Sequence, residues 1–537
     1  MKITKSLILI SFSAILFYGC GSTNVLSTPI ENIDNTPIKT SDLTVNQKNS
    51  WGHLDLVKDT IPGMSVDKAY SEIIKTKKGK TVIVAVIDAG VDIDHEDLND
   101  VIWTNKNEIP NNDKDDDNNG FVDDIHGWNF LGDGYDEQVE FVRILAKGDI
   151  DNPDYARAQR EYIEKQNEYT QYKTTYNQIS QQIDAADNIL TGHLDKKEYT
   201  LKEINDIKTE DQQVQQAVSV VNYYVATLES KSVTEAKNTI NEGLEDINNW
   251  LDIRLNKNFK GRKTGDDPDD FSQKFYGNNN VKPIHETETH GTHVAGIIAA
   301  ERNNGIGTNG VAENVKIMAI RTVSHADEYD KDVALAIRYA VDNGAKIING
   351  SFGKYYSPHP EWVRDAIKYA GENDVLIVHG SGNESLDLDK NNNYPNDQFD
   401  NGAEISNTFI NVGSVESRYG SAMVSDFSNY GKINVDVMAP GGKIYSTLPG
   451  NKYKAESGTS MASPAVAGVA ALIRSYYPKL SASQVKQVLM DSGLPLPAKV
   501  IVGGDANDVE PFGDLTKSGK LVNAYNALIM ADKISKN

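Results

Sequence analysis

Thr81-Val-Ile-Val-Ala-Val-Ile87 is an unbroken apolar, β-branched run that ends on a carboxylate, Asp88. A strand with one face in water alternates apolar and polar residues. This run does not, so it predicts a strand covered on both faces. Similar runs recur at Val315–Ile320, Ala345–Ile348 and Val375–Val378, with helix-period segments at Asp332–Asp342 and Pro360–Gly371 between them. Such alternation predicts an α/β fold: a mostly parallel central sheet with helices on both faces, joined by right-handed crossovers. Chemistry in such sheets gathers at the carboxyl ends of strands, where Asp88 stands. A chain of 537 residues has room for one large domain of this kind and further elements.

One stretch departs from the pattern. Residues 135–261 lack strand-like runs and are rich in Gln, Lys, Glu and Tyr. Tyr155, Tyr162, Tyr169, Tyr176, Ile183 and Leu190 fall seven apart, with Ala158, Tyr172, Ile179 and Ala186 at intervening positions. That is a heptad seam. A second seam runs through Val214, Ala217, Val221, Tyr224 and Leu228, and a third from Val233 to Leu251. With breaks near Thr191-Gly192 and Ser230, the segment predicts a coiled-coil-like helical insertion in the α/β domain. Its tyrosine stripe is read as core packing. The catalytic-type domain is accordingly placed at 51–134 and 262–532, and the insertion is expected to serve as a lid or as an arm that docks a protein partner.

At the N-terminus, Lys2 and Lys5 precede the apolar run Leu7–Tyr18, which meets Gly19-Cys20. The run is too short for a permanent membrane span and reads as a signal peptide over 1–19. Cys20 is the only cysteine, so no intrachain disulfide is available to it. The segment resembles a bacterial lipoprotein leader, although Phe17 and Tyr18 are larger than usual there. That resemblance implies lipidation at Cys20 and an exported protein anchored on the periplasmic or surface side of the envelope. Residues 20–50, rich in Ser, Thr, Asn and Pro, are read as a flexible tether. The net charge of −23 and the lack of a clustered basic face argue against nucleic acid.

Three motifs carry chemistry. Val86-Ile-Asp88-Ala-Gly-Val91 places a carboxylate where a buried strand ends, before a glycine that permits a turn. Thr289-His290-Gly-Thr-His293-Val-Ala-Gly296 lets a helix begin close to the sheet, and without a third ligand its two histidines are a weak metal pattern. Ser457-Gly-Thr-Ser460-Met-Ala-Ser-Pro464 opens a small-residue helix, whose N-terminus favours developing negative charge. Pro464 is read as lying early in that helix, where its missing N–H is tolerated. In the order Asp, His, Ser these motifs closely resemble the subtilases, the subtilisin family.

The resemblance covers roughly 51–134 and 262–532. It implies a subtilisin-like fold and hydrolysis of protein or peptide substrates through an acyl-enzyme. Ser460 is then the nucleophile, His290 the general base and acid, and Asp88 the group that orients the imidazole. Val378-His-Gly-Ser-Gly-Asn383 is similar to the family's oxyanion segment, with the Asn383 amide and the Ser460 N–H as donors. Lys346-Ile-Ile-Asn-Gly-Ser351-Phe352-Gly353 is similar to the strand that pairs with substrate backbone. Asn393, before Tyr394-Pro395, corresponds to the floor of the pocket for the residue preceding the cut bond, which disfavours very large side chains. Asp387 and Asp389 nearby leave a preference for Lys or Arg open. The spacing of Asp88 and His290, about 200 residues, exceeds that of a compact subtilase. The stretch ahead of Trp51 is also shorter than the usual folding-assisting propeptide.

A further feature is acidic. Asp115, Asp117 and Asn119 alternate before Gly120, a carbonyl at Phe121, and Asp123-Asp124. Oxygen ligands in this pattern follow the logic of a structural Ca2+ loop, with His126 in place of the final bidentate Glu of an EF-hand and either Asp123 or Asp124 supplying the missing carboxylate.

Overall fold

A computed structural model describes Lys39 and residues 41–536 apart from Asp400. The predicted leader and Cys20 lie outside the described residues. Among the described residues there are thirteen strands: β1 Val82–Asp88, β2 Gly127–Asn129, β3 Val315–Arg321, β4 Ile347–Gly350, β5 Leu376–Gly380, β6 Phe409–Val415, β7 Val437–Pro440, β8 Ile444–Leu448, β9 Lys452–Glu456, β10 Leu494–Pro495, β11 Lys499–Val502, β12 Asp505–Pro511 and β13 Lys520–Leu521. Nine of them form one sheet in the order β10-β13-β7-β6-β5-β4-β1-β3-β2. The pairs from β2 to β7 are parallel, and β10 with β13 is antiparallel.

The principal helices are α1 Glu140–Lys147, α2 Tyr155–Leu194, α3 Gln212–Thr227, α4 Val233–Asn249, α5 His290–Ala299, α6 Asp330–Asp342, α7 Pro360–Glu372, α8 Thr459–Tyr476, α9 Ala482–Ser492 and α10 Ala524–Ser535. Side chains alternate across a strand, so β1 serves two cores at once. Val82, Val84 and Val86 pack with α5, α8, α9 and α10 on one face. Ala85 and Ile87 pack with α6 and α7 on the other. This two-sided burial is why the β1 run shows no polar alternation.

Between β2 and β3 the predicted helices form. Ile183, Ala186 and Leu190 of α2 meet Val214, Ala217 and Val221 of α3 and Val233, Ala236 and Ile240 of α4. The tyrosines of the first seam pack at the base: Tyr169 stacks on Trp250 at 4.4 Å, and Tyr155 and Tyr162 join Leu255 and Tyr356. Two boundaries differ from expectation. Helix α2 runs through Thr191-Gly192 to Leu194, because an exposed glycine alone does not end a helix of 40 residues; the left-handed Asp195 does. A short helix, Val45–Ser50, stands inside the predicted tether, started by a capping box between Thr44 and Gln47. Among the described residues no helix is long and apolar enough to cross a membrane.

Candidate active site

Asp88 is the last residue of β1 and is 1% exposed. Both of its oxygens face His290 Nδ1, at 2.9 and 3.0 Å, and Oδ1 also accepts the Ala89 N–H at 2.7 Å. His290 opens α5, which approaches the strand end closely. A Cβ on Gly291 would lie 2.3 Å from the Gly90 carbonyl, so only glycine permits that approach. Burial works against a charged His290 ring, but the Asp88 charge and hydrogen bond outweigh it and hold the imidazole above its ordinary pKa. The second histidine, His293, is fully buried with Nε2 on the Lys454 carbonyl at 3.1 Å. Burial lowers its pKa to about 4, so it is a neutral packing residue.

Ser460 lies in the first turn of α8, and its hydroxyl donates to the Ser351 carbonyl at 3.3 Å. For Ser460 to act as a nucleophile that hydroxyl would have to turn toward His290, and catalytic hydrogen bonds are often loose before substrate tightens them. Pro464 is the sixth residue of α8, deeper than the first-turn position read from sequence. Its missing N–H frees the carbonyl four residues back, that of Ser460, from the helix ladder. Ser351 Oγ takes up that carbonyl at 2.9 Å, and Asn349 Nδ2 in turn donates to Ser351 Oγ at 2.9 Å. The proline thus lets the residue after β4 be tied to the Ser460 backbone.

Asn383 is exposed at the end of the β5 loop. Its Oδ1 accepts the Thr459 N–H at 2.9 Å and the Thr459 hydroxyl at 3.1 Å. The acceptor end of the carboxamide is thus anchored on the residue before Ser460. Phe352 and Gly353 follow Ser351 and, with Asp88, His290 and residues 323–328, line a cleft of about 280 Å3. Asn393 is 6% exposed, with Nδ2 donating to the Ser381 carbonyl at 2.7 Å. A Cβ on Gly353 would come within 3.2 Å of Asn393 Oδ1, so these two residues adjoin. Asp387 is tied to Lys390 at 2.7 Å, and Asp389 Oδ1 accepts the N–H groups of Ile433 and Asn434 at 3.1 and 3.0 Å.

Two residues that position the site were not singled out from sequence. Arg321 ends β3 beside Asp88 and is fully buried; it donates to the Ala89 carbonyl at 2.9 Å, to the Gly134 carbonyl at 3.0 Å, and to Glu288 Oε1. Glu288 stands two residues before His290 and accepts the His285 N–H at 3.0 Å. The pair therefore locks the Asp88 and His290 loops together. A charged residue closing an apolar strand run is the signal that was available.

In the acidic loop, Glu108, Asp115 and Asp117 bring carboxylate oxygens within 4.8 Å of one another. Glu108, upstream of the motif, was not among the expected ligands. These three carboxylates accept hydrogen bonds within the loop, and so do the side chains of Asn119, Asp123 and Asp124. Asn119 Oδ1 accepts the Phe121 N–H at 2.8 Å, and its Nδ2 donates to Asp124 Oδ2 at 3.0 Å. Asp124 also accepts from Tyr339 and Asn105, at 2.6 and 2.9 Å. Asp123 accepts the N–H groups of Asn112 and Asp113, at 3.3 and 2.9 Å. The Phe121 ring packs between Trp128 and Tyr339, both at 5.0 Å, and fixes the loop to the sheet.

The description "Subtilase family" matches residues 79–519. The chain belongs to the subtilase family. Among relatives of this subtilase, a thermophilic serine proteinase of Bacillus sp. (strain AK1) is 40% identical over 198 residues, 37% of this chain and 45% of its own. Subtilisin DY of Bacillus licheniformis is 38% identical over 224 residues, 41% of this chain and 76% of its own. A cell wall-associated protease of Bacillus subtilis (strain 168) is 36% identical over 246 residues, 46% of this chain. The chain spans a quarter of that protease's length, 25%, and under half, 45%, of the thermophilic proteinase.

Proposed function

We propose that this subtilase is a serine endopeptidase in which Ser460 attacks the scissile carbonyl. His290 takes the hydroxyl proton and returns it to the leaving amine, while Asp88 holds the imidazole tautomer and stabilises its charged form. The Asn383 Nδ2 and the Ser460 backbone N–H donate to the tetrahedral oxyanion. The hydrogen bonding of His290 Nδ1–H to both oxygens of buried Asp88 carries this reading, since it leaves Nε2 as the only ring nitrogen for proton transfer. Labelling by a fluorophosphonate probe tests it. Ser460→Ala must abolish labelling and peptide hydrolysis while the protein stays folded, and an active Ser460→Ala variant would overturn the assignment.

Residues 135–261 are proposed to be an insertion in the catalytic domain that bears a protein-docking face. Ca2+ is proposed to bind Glu108, Asp115 and Asp117 with the Phe121 carbonyl. A hard cation suits an all-oxygen donor set and relieves the repulsion of converging carboxylates. Asn393 is proposed as the pocket floor, supported by its burial against Gly353. Matched peptides with Phe, Leu, Ala, Gln or Arg before the cut bond decide this: fastest cleavage after Phe would reject it, and a strong Arg preference would favour the acidic Asp387–Asp389 loop. Lipidation at Cys20 is proposed to anchor the exported enzyme in the envelope. Cys20→Ser is then expected in the soluble fraction, and a variant still membrane-bound after washing would reject the anchor.

A further inference from the structure

The segment after the substrate strand joins two parts of the protein that the mechanism above treats separately. Tyr355 lies two residues past Gly353, and its hydroxyl donates across to Glu384 Oε2 in the oxyanion loop. The same oxygen accepts the backbone N–H of Asn383 at 2.8 Å. One carboxylate oxygen therefore links Tyr355 to the residue whose amide is the proposed oxyanion donor. Asn429 closes the group. Its Nδ2 donates to Tyr355 Oη at 3.0 Å and to the Ser381 carbonyl at 2.8 Å, and its Oδ1 accepts the Glu384 and Leu386 N–H groups at 3.2 and 2.8 Å. Gly382, at φ +104°, makes room for this arrangement: a Cβ there would meet Asn429 Nδ2 at 2.3 Å and Tyr355 Oη at 3.0 Å.

The same segment is held from the opposite side by the long helix α2. Arg157 Nη1 donates to the Tyr355 carbonyl at 3.1 Å, and its guanidinium lies 4.1 Å from the centre of the Tyr356 ring. Tyr356 is 2% exposed and donates to Glu161 Oε2 at 2.6 Å. Side chains of α2 thus grip consecutive residues, of which the first reaches the oxyanion loop. An unbroken series of contacts runs from Glu161 and Arg157 through Tyr356 and Tyr355 to Glu384 and Asn383.

We infer that Tyr355 is a positioning residue through which the helical segment holds the oxyanion loop in its working geometry. This rests on the peptidase reading of the site. Asn383 is exposed, and besides the Thr459 contacts its backbone N–H donates to Glu384 Oε2. Oxyanion donors work because they are placed before charge develops, so loosening that anchor weakens transition-state binding more than substrate binding. Burial raises the Glu384 carboxyl above its usual range, and the hydrogen bonds from the Asn383 N–H and Asn429 oppose that rise.

Tyr355→Phe tests this by deleting one hydroxyl and keeping the ring. The expected result is a ~10-fold lower kcat with KM within about twofold. Affinity for a peptide boronate, whose tetrahedral adduct places an oxygen at the oxyanion position, should fall in parallel while affinity for a product peptide holds. Glu384→Ala should show the same loss, and the double variant no more than the larger single one, because both break one series of contacts. Arg157→Ala with Glu161→Ala should lower kcat in the same direction by a smaller factor. Tyr355→Phe with unchanged kcat and boronate affinity would overturn the inference. So would a loss shared equally by product binding and thermal stability, which marks a merely structural role. Unchanged kinetics in the Arg157–Glu161 variant would remove the helical segment's part. A parent protein that neither cuts peptides nor binds the boronate would instead refute the peptidase reading, and this inference with it.

Discussion

Replacing Lys354 with Met removes a cation buried among carboxylates where the helical segment meets the catalytic unit. Its Nζ lies 2.7 Å from Glu140 Oε2 and 3.0 Å from Asp330 Oδ1, and donates to the Glu328 carbonyl at 2.8 Å. The Lys354 side chain is 2% exposed and both carboxylates 5%. Burial alone would raise the Glu140 carboxyl, but Arg143 and Lys354 outweigh it and hold it at about 2, against an ordinary 4.5. A depression of that size is worth ~3 kcal/mol at neutral pH, shared between the two cations. Removing one partner of a buried pair typically costs ~3–5 kcal/mol, because the other charge stays in place without compensation. We expect Lys354→Met to lose ~3 kcal/mol in urea unfolding at pH 7. A depressed carboxyl stabilises the fold above its ordinary value of 4.5, and that contribution is lost as pH falls toward about 2. In the variant Glu140 takes up a proton at higher pH, so the gap to the parent narrows in acid. A loss under ~1 kcal/mol at pH 7, or a gap that widens in acid, would refute the ion-cluster argument.

Asn383→Ala should lower kcat ~100–1000-fold with little change in KM, the range expected for losing one oxyanion donor, as measured by steady-state kinetics. Because Asp88 holds the His290 pKa above its ordinary 6.5, activity should fall in acid through a value above 6.5; Asp88→Asn should move that limb down and cut turnover ~10,000-fold, read from pH–rate profiles. Chelation with EGTA should lower the melting temperature, with ~3 kcal/mol at stake if free Ca2+ stands a hundredfold above its Kd, and Asp115→Asn with Asp117→Asn should reproduce the shift. A melting curve indifferent to calcium would remove that site.

The parallel sheet was legible because two-sided burial leaves a mark within a single strand. β1 carries apolar residues on both faces, and the helices that cover them announce themselves by their own period. The heptads of the helical segment were legible for the same reason: Ile183, Ala186 and Leu190 recur at the spacing their shared core demands. Helix ends were read less well. Gly192 costs a long helix about 1 kcal/mol, too little to stop it, whereas the left-handed Asp195 does stop it. Asp88, His290, Asn383 and Ser460 could be singled out because each stands in a local motif rich in small residues.

The residues that hold those groups in place form no local motif, since their partners are distant in the chain. Arg321 meets Glu288 and Gly134, at separations of 33 and 187 residues, and only the adjacency of β1 and β3 brings them beside Ala89. Glu108 lies outside the acidic pattern, yet its Oε1 accepts the N–H groups of Asp116 and Asp117 at 2.8 and 3.0 Å, which draws its carboxylate in among them. Ser351 illustrates the intermediate case. It was singled out within the Lys346–Gly353 motif, but its hydrogen bond to the Ser460 carbonyl depends on Pro464, 113 residues later, leaving that carbonyl unclaimed by the helix. A motif names the group that reacts. What sets that group's geometry is the set of backbone donors and acceptors left unpaired by the local fold, and those find partners only once the sheet has assembled.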